Sequence, residues 1–200
     1  MATAEGALTP ERILVAAEDT VRRYGPAKAT VVDVARALGV SHGSVYRHFA
    51  SKAALRDAVA ERWLHRVAVP LIEITKGDEP APERLRRWLE GLIGYKQRLA
   101  REDPELFATY VTLASEARTV VKAHVDELCG QLERIVADGV AGGEFAVADP
   151  AATAGAIFAA TARYHHPAHA AEWADGETTV GFAAVWALIL DGIRPRTART

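Results

Sequence analysis

The sequence predicts an all-α protein. Apolar residues recur at helical spacing along almost the whole chain, and no segment alternates with period two. Hydroxyl, Asp-Pro and glycine signals punctuate the pattern where helices should start and stop. Half of the 200 residues are apolar, enough to bury a sizeable core.

Thr9-Pro10-Glu11 is a start signal: a hydroxyl cap, a proline in the first turn and an acid on the positive end of the dipole. Ile13, Ala17, Val21 and Tyr24 follow at helical spacing, and Gly25-Pro26 stops this helix. Thr30 caps a short second helix with Val31, Val34, Ala35 and Leu38 on its inner face, ended by Gly39. Ser41 caps a third helix of barely two turns, ending near Phe49. Ser51 caps a long fourth helix with Leu55, Val59 and Trp63 in its core stripe, which Pro70 should kink or end.

Beyond the polar connector KGDEPAPE, PERLRRWLEGLIGYKQRLARE reads as a helix. Asp103-Pro104-Glu105 opens another, through LFATYVTLASE. A long helix runs from about Arg118 to Val140, with Val121, Val125, Leu128, Leu132 and Ile135 on one face, and Gly142-Gly143 breaks it. Asp149-Pro150 opens an alanine-rich helix to about His165. The last helix spans about Glu177 to Ile193, with Phe182, Val185, Trp186 and Ile189 on one face.

The formal net charge of −2 hides an asymmetry. From Arg22 to Arg56 there are seven basic side chains and one acid, leaving the rest of the chain clearly acidic. A basic block on an acidic body points to an anionic polymer bound at one end. Cys129 is the only cysteine, so no internal disulfide forms and a reducing, cytoplasmic setting is expected. The N-terminus lacks a signal-peptide pattern, and no apolar stretch reaches the roughly 18 residues that a membrane helix needs.

The stretch VSHGSVYRHFASK, Val40 to Lys52, lies where two short helices meet through LGVS, a helix-turn-helix signal. Val45 and Phe49 point inward, leaving Ser41, His42, Ser44, Arg47 and His48 outward, while Gly43 lets a backbone come close. Ser44, His48 and Asp33 could be drawn as a catalytic triad. No strained strand-to-helix turn presents the serine and no oxyanion hole is suggested, so no enzyme is expected.

Thr30 through Leu55, TVVDVARALGVSHGSVYRHFASKAAL, resembles the DNA-binding motif of TetR-type (tetracycline-repressor-like) transcriptional regulators, and Tyr24-Gly25 upstream fits it too. The resemblance implies a three-helix DNA-binding domain over residues 1–52. A helical effector-binding and dimerisation domain would occupy residues 53–200. It implies phosphate contacts from Thr30, Tyr46, His48 and Lys52. Ser41, His42, Gly43, Ser44 and Arg47 would face bases or the adjacent backbone. Where some members carry a basic or polar reader on the second helix, this sequence has Val32. The implied partners are a palindromic double-stranded operator, a small-molecule effector and a second copy bound through the two C-terminal helices. Small residues there (Ala159, Ala160, Gly181, Ala184) allow close approach. No cofactor or metal is implied.

Trp63, Trp88, Tyr95, Phe107, Tyr110, Phe158 and Tyr164 are aromatic residues on expected helices, candidates for an apolar effector pocket. His124 falls between Val121 and Leu128 on an inward face, and His165 is a further candidate. Within YHHPAHAAEW, His165 and His169 would share a face if helical, as metal ligands do, so a metal sensor or metal-dependent enzyme using His165, His166 and His169 is the alternative. Pro167 disfavours helix at His166, which argues for a helix end instead.

Overall fold

Side-chain caps at Thr9, Thr30, Ser41, Ser51 and Asp149 set five of the helix starts. The computed structural model describes residues 7–175 and 177–195, and no strand occurs among them. Helix α1 (Pro10–Tyr24) begins where Thr9 accepts the Arg12 backbone N–H. Helices α2 (Val31–Ala37), α3 (His42–Tyr46) and α4 (Lys52–Thr75) follow. Then come α5 (Ala81–Glu102), α6 (Pro104–Glu116) and α7 (Arg118–Ala141). The chain closes with α8 (Pro150–Ala160), α9 (Ala162–His165), a 3-10 segment (Pro167–Asp175) and α10 (Glu177–Ile193).

The chain divides into two compact units. The first comprises residues up to Leu64 together with Glu105–Val121. Its core collects Ile13 and Ala17 of α1, Val34 and Ala35 of α2, Val45 of α3, and Leu55, Val59 and Trp63 of α4. Trp63 stacks flat on Tyr110 of α6, ring centroids 4.2 Å apart. Arg62 ties α4 to α1 through Glu11 and Glu18, and Arg56 pairs with Glu116 of α6.

The second unit comprises His65–Pro104 and the chain from Lys122 on. Its core is built on α5 and α7: Leu85, Trp88, Leu89 and Leu92 against Leu128, Leu132, Ile135 and Val136, all fully buried. The Trp88 indole N–H donates to Gln131 Oε1 at 2.9 Å, and Gln131 Nε2 donates to the Ala68 carbonyl at 3.3 Å. Arg84 is buried and paired. It donates to Asp138 and the Thr75 carbonyl, each at 2.9 Å, and to the Glu79 carbonyl at 3.0 Å. At Gly139 a Cβ would lie 2.2 Å from the Phe145 ring, so only glycine lets that ring close over α7.

Four expectations need correction. Tyr24 is exposed, and the buried place after Ile13 and Ala17 goes to Thr20, whose hydroxyl donates to the Ala16 carbonyl at 2.7 Å. Helix α3 stops at Tyr46, shorter than its pattern suggests, and Phe49 is only half-buried. Of the two outcomes expected at Pro70, a kink or an end, the end does not occur: α4 runs on to Thr75 past an exposed Pro70. The alanine-rich helix breaks at Thr161, whose hydroxyl donates to the Ile157 carbonyl at 2.9 Å and competes with the backbone ladder.

Candidate nucleic-acid interface and effector site

Thr30 and Asp33 build the start of α2 as a reciprocal capping box. Thr30 Oγ1 accepts from the Asp33 backbone N–H, and Asp33 Oδ2 accepts from both the Thr30 N–H and its hydroxyl. The Thr30 hydroxyl, first among the causes, holds the Asp33 carboxyl below the ordinary carboxylate range. Replacing Thr30 with alanine should cost about 0.5–2 kcal/mol of stability, read from the midpoint of a urea unfolding curve.

Gly39 turns the chain at φ +69°, a left-handed conformation that suits glycine, and α3 then starts on Ser41. Val45, 1% exposed, anchors α3. The rest of the helix is left outward: Ser41, His42, Gly43, Tyr46, Arg47 and His48 are exposed, and Ser44 is half-buried. Ser41 Oγ lies 2.9 Å from Ser44 Oγ, and Arg47 donates to Ser44 Oγ at 3.1 Å. The His42 and Tyr46 rings meet edge to face at 6.4 Å. Lys52, exposed, opens α4 beside the Ser51 cap, which accepts the Ala54 N–H. Thr30 and Val32 are exposed too. Of the nine residues expected at DNA, Thr30 caps α2, Ser41 to His48 lie on α3 and the turns at its ends, and Lys52 opens α4.

The effector candidates fall in both units. In the first, Trp63, Phe107 and Tyr110 are buried. In the second, Trp88 and Tyr164 are buried, while Tyr95 and Phe158 are half-buried. Gln97 of α5 donates to the Tyr164 carbonyl at 3.0 Å. His165 is 2% exposed, tilted against Phe158, with Nε2 3.3 Å from both the Thr161 hydroxyl and the Phe158 carbonyl. His124 is 6% exposed and neither ring nitrogen has a hydrogen-bond partner. Burial, then the nearby Lys96 charge, lowers the His124 pKa to about 4 and that of His165 to about 3.

Two family models match the chain. The tetracyclin repressor-like C-terminal domain covers residues 81–186, and the N-terminal domain of the bacterial regulatory proteins of the tetR family covers 13–59. The chain belongs to the TetR family of transcriptional regulators. A curated relative of this TetR-family regulator is an uncharacterized HTH-type transcriptional regulator of Mycobacterium tuberculosis, 34% identical over 106 residues. That match spans 52% of this chain and 50% of the relative, so the chain spans about half the length of the curated relatives it matches. Among solved structures, a TetR transcription regulator from Haloarcula marismortui aligns with TM-score 0.69 at 18% identity, over 93% of this chain and 98% of that one. SmeT, the repressor of the Stenotrophomonas maltophilia multidrug efflux pump SmeDEF, aligns with TM-score 0.66 at 21% identity, over 96% and 94%. SmeT has also been solved as a triclosan complex. These structural likenesses show a shared fold.

In this TetR-family chain the paper triad does not assemble. Ser44 is bonded to Ser41 and Arg47, and Asp33 is engaged by Thr30 and Arg36. The geometry does not favour the metal alternative either. His165 turns inward to Thr161 and Phe158, the backbone extends at His166 (φ −80°, ψ 128°), and His169 pairs with Glu172 at 2.8 Å. Among the described residues no three metal-ligating side chains converge. No helix among them is long and apolar enough to cross a membrane.

Sequence reasoning passed over one residue. Lys96 of α5 is only 8% exposed. The signal was present: Leu85, Leu89, Leu92 and Lys96 are spaced i, i+4, i+7, i+11, placing a lysine on the core stripe.

Proposed function

We propose that this regulator is a dimeric, cytoplasmic repressor. Residues 1–52 bind a palindromic operator, and a small effector bound within residues 53–200 releases it. The observation that carries the reading is the outward face of α3, where exposed His42, Tyr46, Arg47 and His48 surround a single buried anchor, Val45. A helix that keeps one residue for packing and leaves the rest polar and exposed suits the major groove. One short helix buries too little surface for tight specific binding, so two copies are needed, about 34–36 Å apart on successive grooves. Support for pairing comes from α8 and α10, which expose Ala156, Ala159, Ala160, Ala183, Ala184 and Leu188, the last 74% exposed.

In this reading Thr30, Tyr46, His48 and Lys52 hold phosphates, while Ser41, His42, Gly43, Ser44 and Arg47 meet bases or the adjacent backbone. Val32 offers at most a methyl contact. Helix α4 starts beside these residues at Lys52 and continues without interruption to Thr75. It is the natural element for an effector to bias, and a coupling of roughly 1–3 kcal/mol is typical of such systems. That SmeT takes triclosan supports a small organic effector, for which the candidates are Trp63, Trp88, Tyr95, Phe107, Tyr110, His124, Phe158, Tyr164 and His165.

Selection of bound duplexes from a random DNA pool tests the reading, and enrichment of a palindrome is expected. Tyr46→Ala or Lys52→Ala should weaken binding to all sequences alike. Arg47→Ala should also relax preference at one base pair by roughly 1–3 kcal/mol. No enriched palindrome, or three variants that bind as the parent does, would sink the assignment.

A further inference from the structure

Helix α5 buries two cations, and the chain treats them differently. Arg84, 7% exposed, donates to a carboxylate and two carbonyls. Lys96, three turns further on and 8% exposed, makes no side-chain hydrogen bond or ion pair with any described residue. A buried ammonium without an anion is costly, because it gives up hydration and gains no counter-charge. Burial alone pulls its pKa down to about 8, and no described carboxylate raises it again. At neutral pH the group is therefore still mostly charged.

Its surroundings lack the same thing. Gln97, the residue after Lys96, donates to the carbonyl of Tyr164, the residue before His165, so this end of α5 lies against α9 in the second unit, and the Lys96 charge lowers the pKa of His124, His165 and His166. His165 is satisfied internally, but both ring nitrogens of the 94%-buried His124 are unpaired. One buried cation, one neutral imidazole that can both donate and accept, and no described counter-ion form a set complementary to a single negative charge with a polar neighbour. A second cation would be repelled, which argues against a metal. A phosphate dianion would need more positive charge than one lysine supplies.

We infer that the second unit takes a small organic monocarboxylate, its carboxylate at the Lys96 ammonium and a further polar group at the His124 ring. The inference rests on the reading of residues 53–200 as the effector-binding part, and it names the ligand class. Lys96 is then the group that selects anionic effectors over neutral ones of the same shape.

The test uses the full chain at neutral pH, with benzoate and octanoate at millimolar concentration as probes and benzamide and octanamide as neutral controls. At least one acid should bind by calorimetric titration and raise Tm, with its amide far weaker. Lys96→Met should raise the ligand-free Tm, since an unpaired buried charge is removed, and should weaken the acid by roughly 10- to 100-fold, erasing the difference from its amide. Lys96→Gln serves if the methionine variant does not fold. Failure of both acids to bind, equal binding of acid and amide, or an undiminished preference for the acid in the folded variant would each overturn the inference. Operator selection on the same preparation separates the two claims. Operator binding without acid binding removes the ligand class alone. Acid binding without an operator removes the regulator reading.

Discussion

Raising the salt from about 50 to about 200 mM should weaken operator binding by roughly 10³-fold. The estimate follows from which basic side chains are free to meet phosphates. Arg36 is spent on Asp33, and Arg56 on Asp57 and Glu116. Lys28 and Lys52 are exposed and have no acidic partner among the described residues, and Arg47 donates only to Ser44. Leaving aside Arg22 and Arg23, exposed in the last turn of α1, three such cations per protomer make six in a dimer. Each releases about 0.9 counterion, so the log–log slope against salt is roughly −5. Fluorescence-anisotropy titrations of a labelled operator over a salt series read that slope directly. Lys52→Ala, which removes one cation from each protomer, should flatten it by about 2. A slope near zero in the parent protein would mean that this face does not grip a phosphate backbone.

The second large effect is a loss of stability on mild acidification, centred on the buried histidines of the second unit. His124 is held at about 4 and His165 at about 3, against an ordinary value of 6.5. Both folded values lie below the unfolded one, so the unfolded chain takes up protons first as pH falls. The stabilising term is complete above about pH 7, begins to fade through 6.5, and goes on falling until the folded pKa values are reached. By about pH 5 each histidine should have withdrawn roughly 2 kcal/mol, or about 4 kcal/mol together. Urea unfolding at a series of pH values between about 5 and 8 checks this. His124→Phe, which removes one titrating group, should recover about half of the loss. A stability profile that stays flat over this range would show that the two rings are not buried as neutral groups. Lys96, with a pKa of about 8, adds to this slope only at the upper end of the range.

The helix-turn-helix was legible in the sequence because its determinants are local. Thr9, Thr30, Ser41 and Ser51 each bond a backbone N–H three residues on. Gly39 takes its left-handed turn with no help from distant residues. The helix succession through Arg118 and the break at Gly142-Gly143 follow from the same short-range rules. Where local rules compete, the sequence misled: Thr161 satisfies carbonyls of its own helix and breaks it, and α3 ends a turn early although Val45 and Phe49 are spaced for one face.

The sequence by itself determined that this protein is all-helical, that it carries a helix-turn-helix, and which of its residues can stand outward there. Each of these depends on hydrogen bonds and spacings within a few residues. Only the tertiary structure decided that Arg84 is paired while Lys96 is not, that His124 is left with two idle nitrogens, and that His165 turns inward while His166 and His169 meet edge to face. Those outcomes depend on what distant helices present to one another. Helical periodicity marks the face on which a side chain lies, but whether a charge on that face finds a counter-charge is settled only when the helices pack.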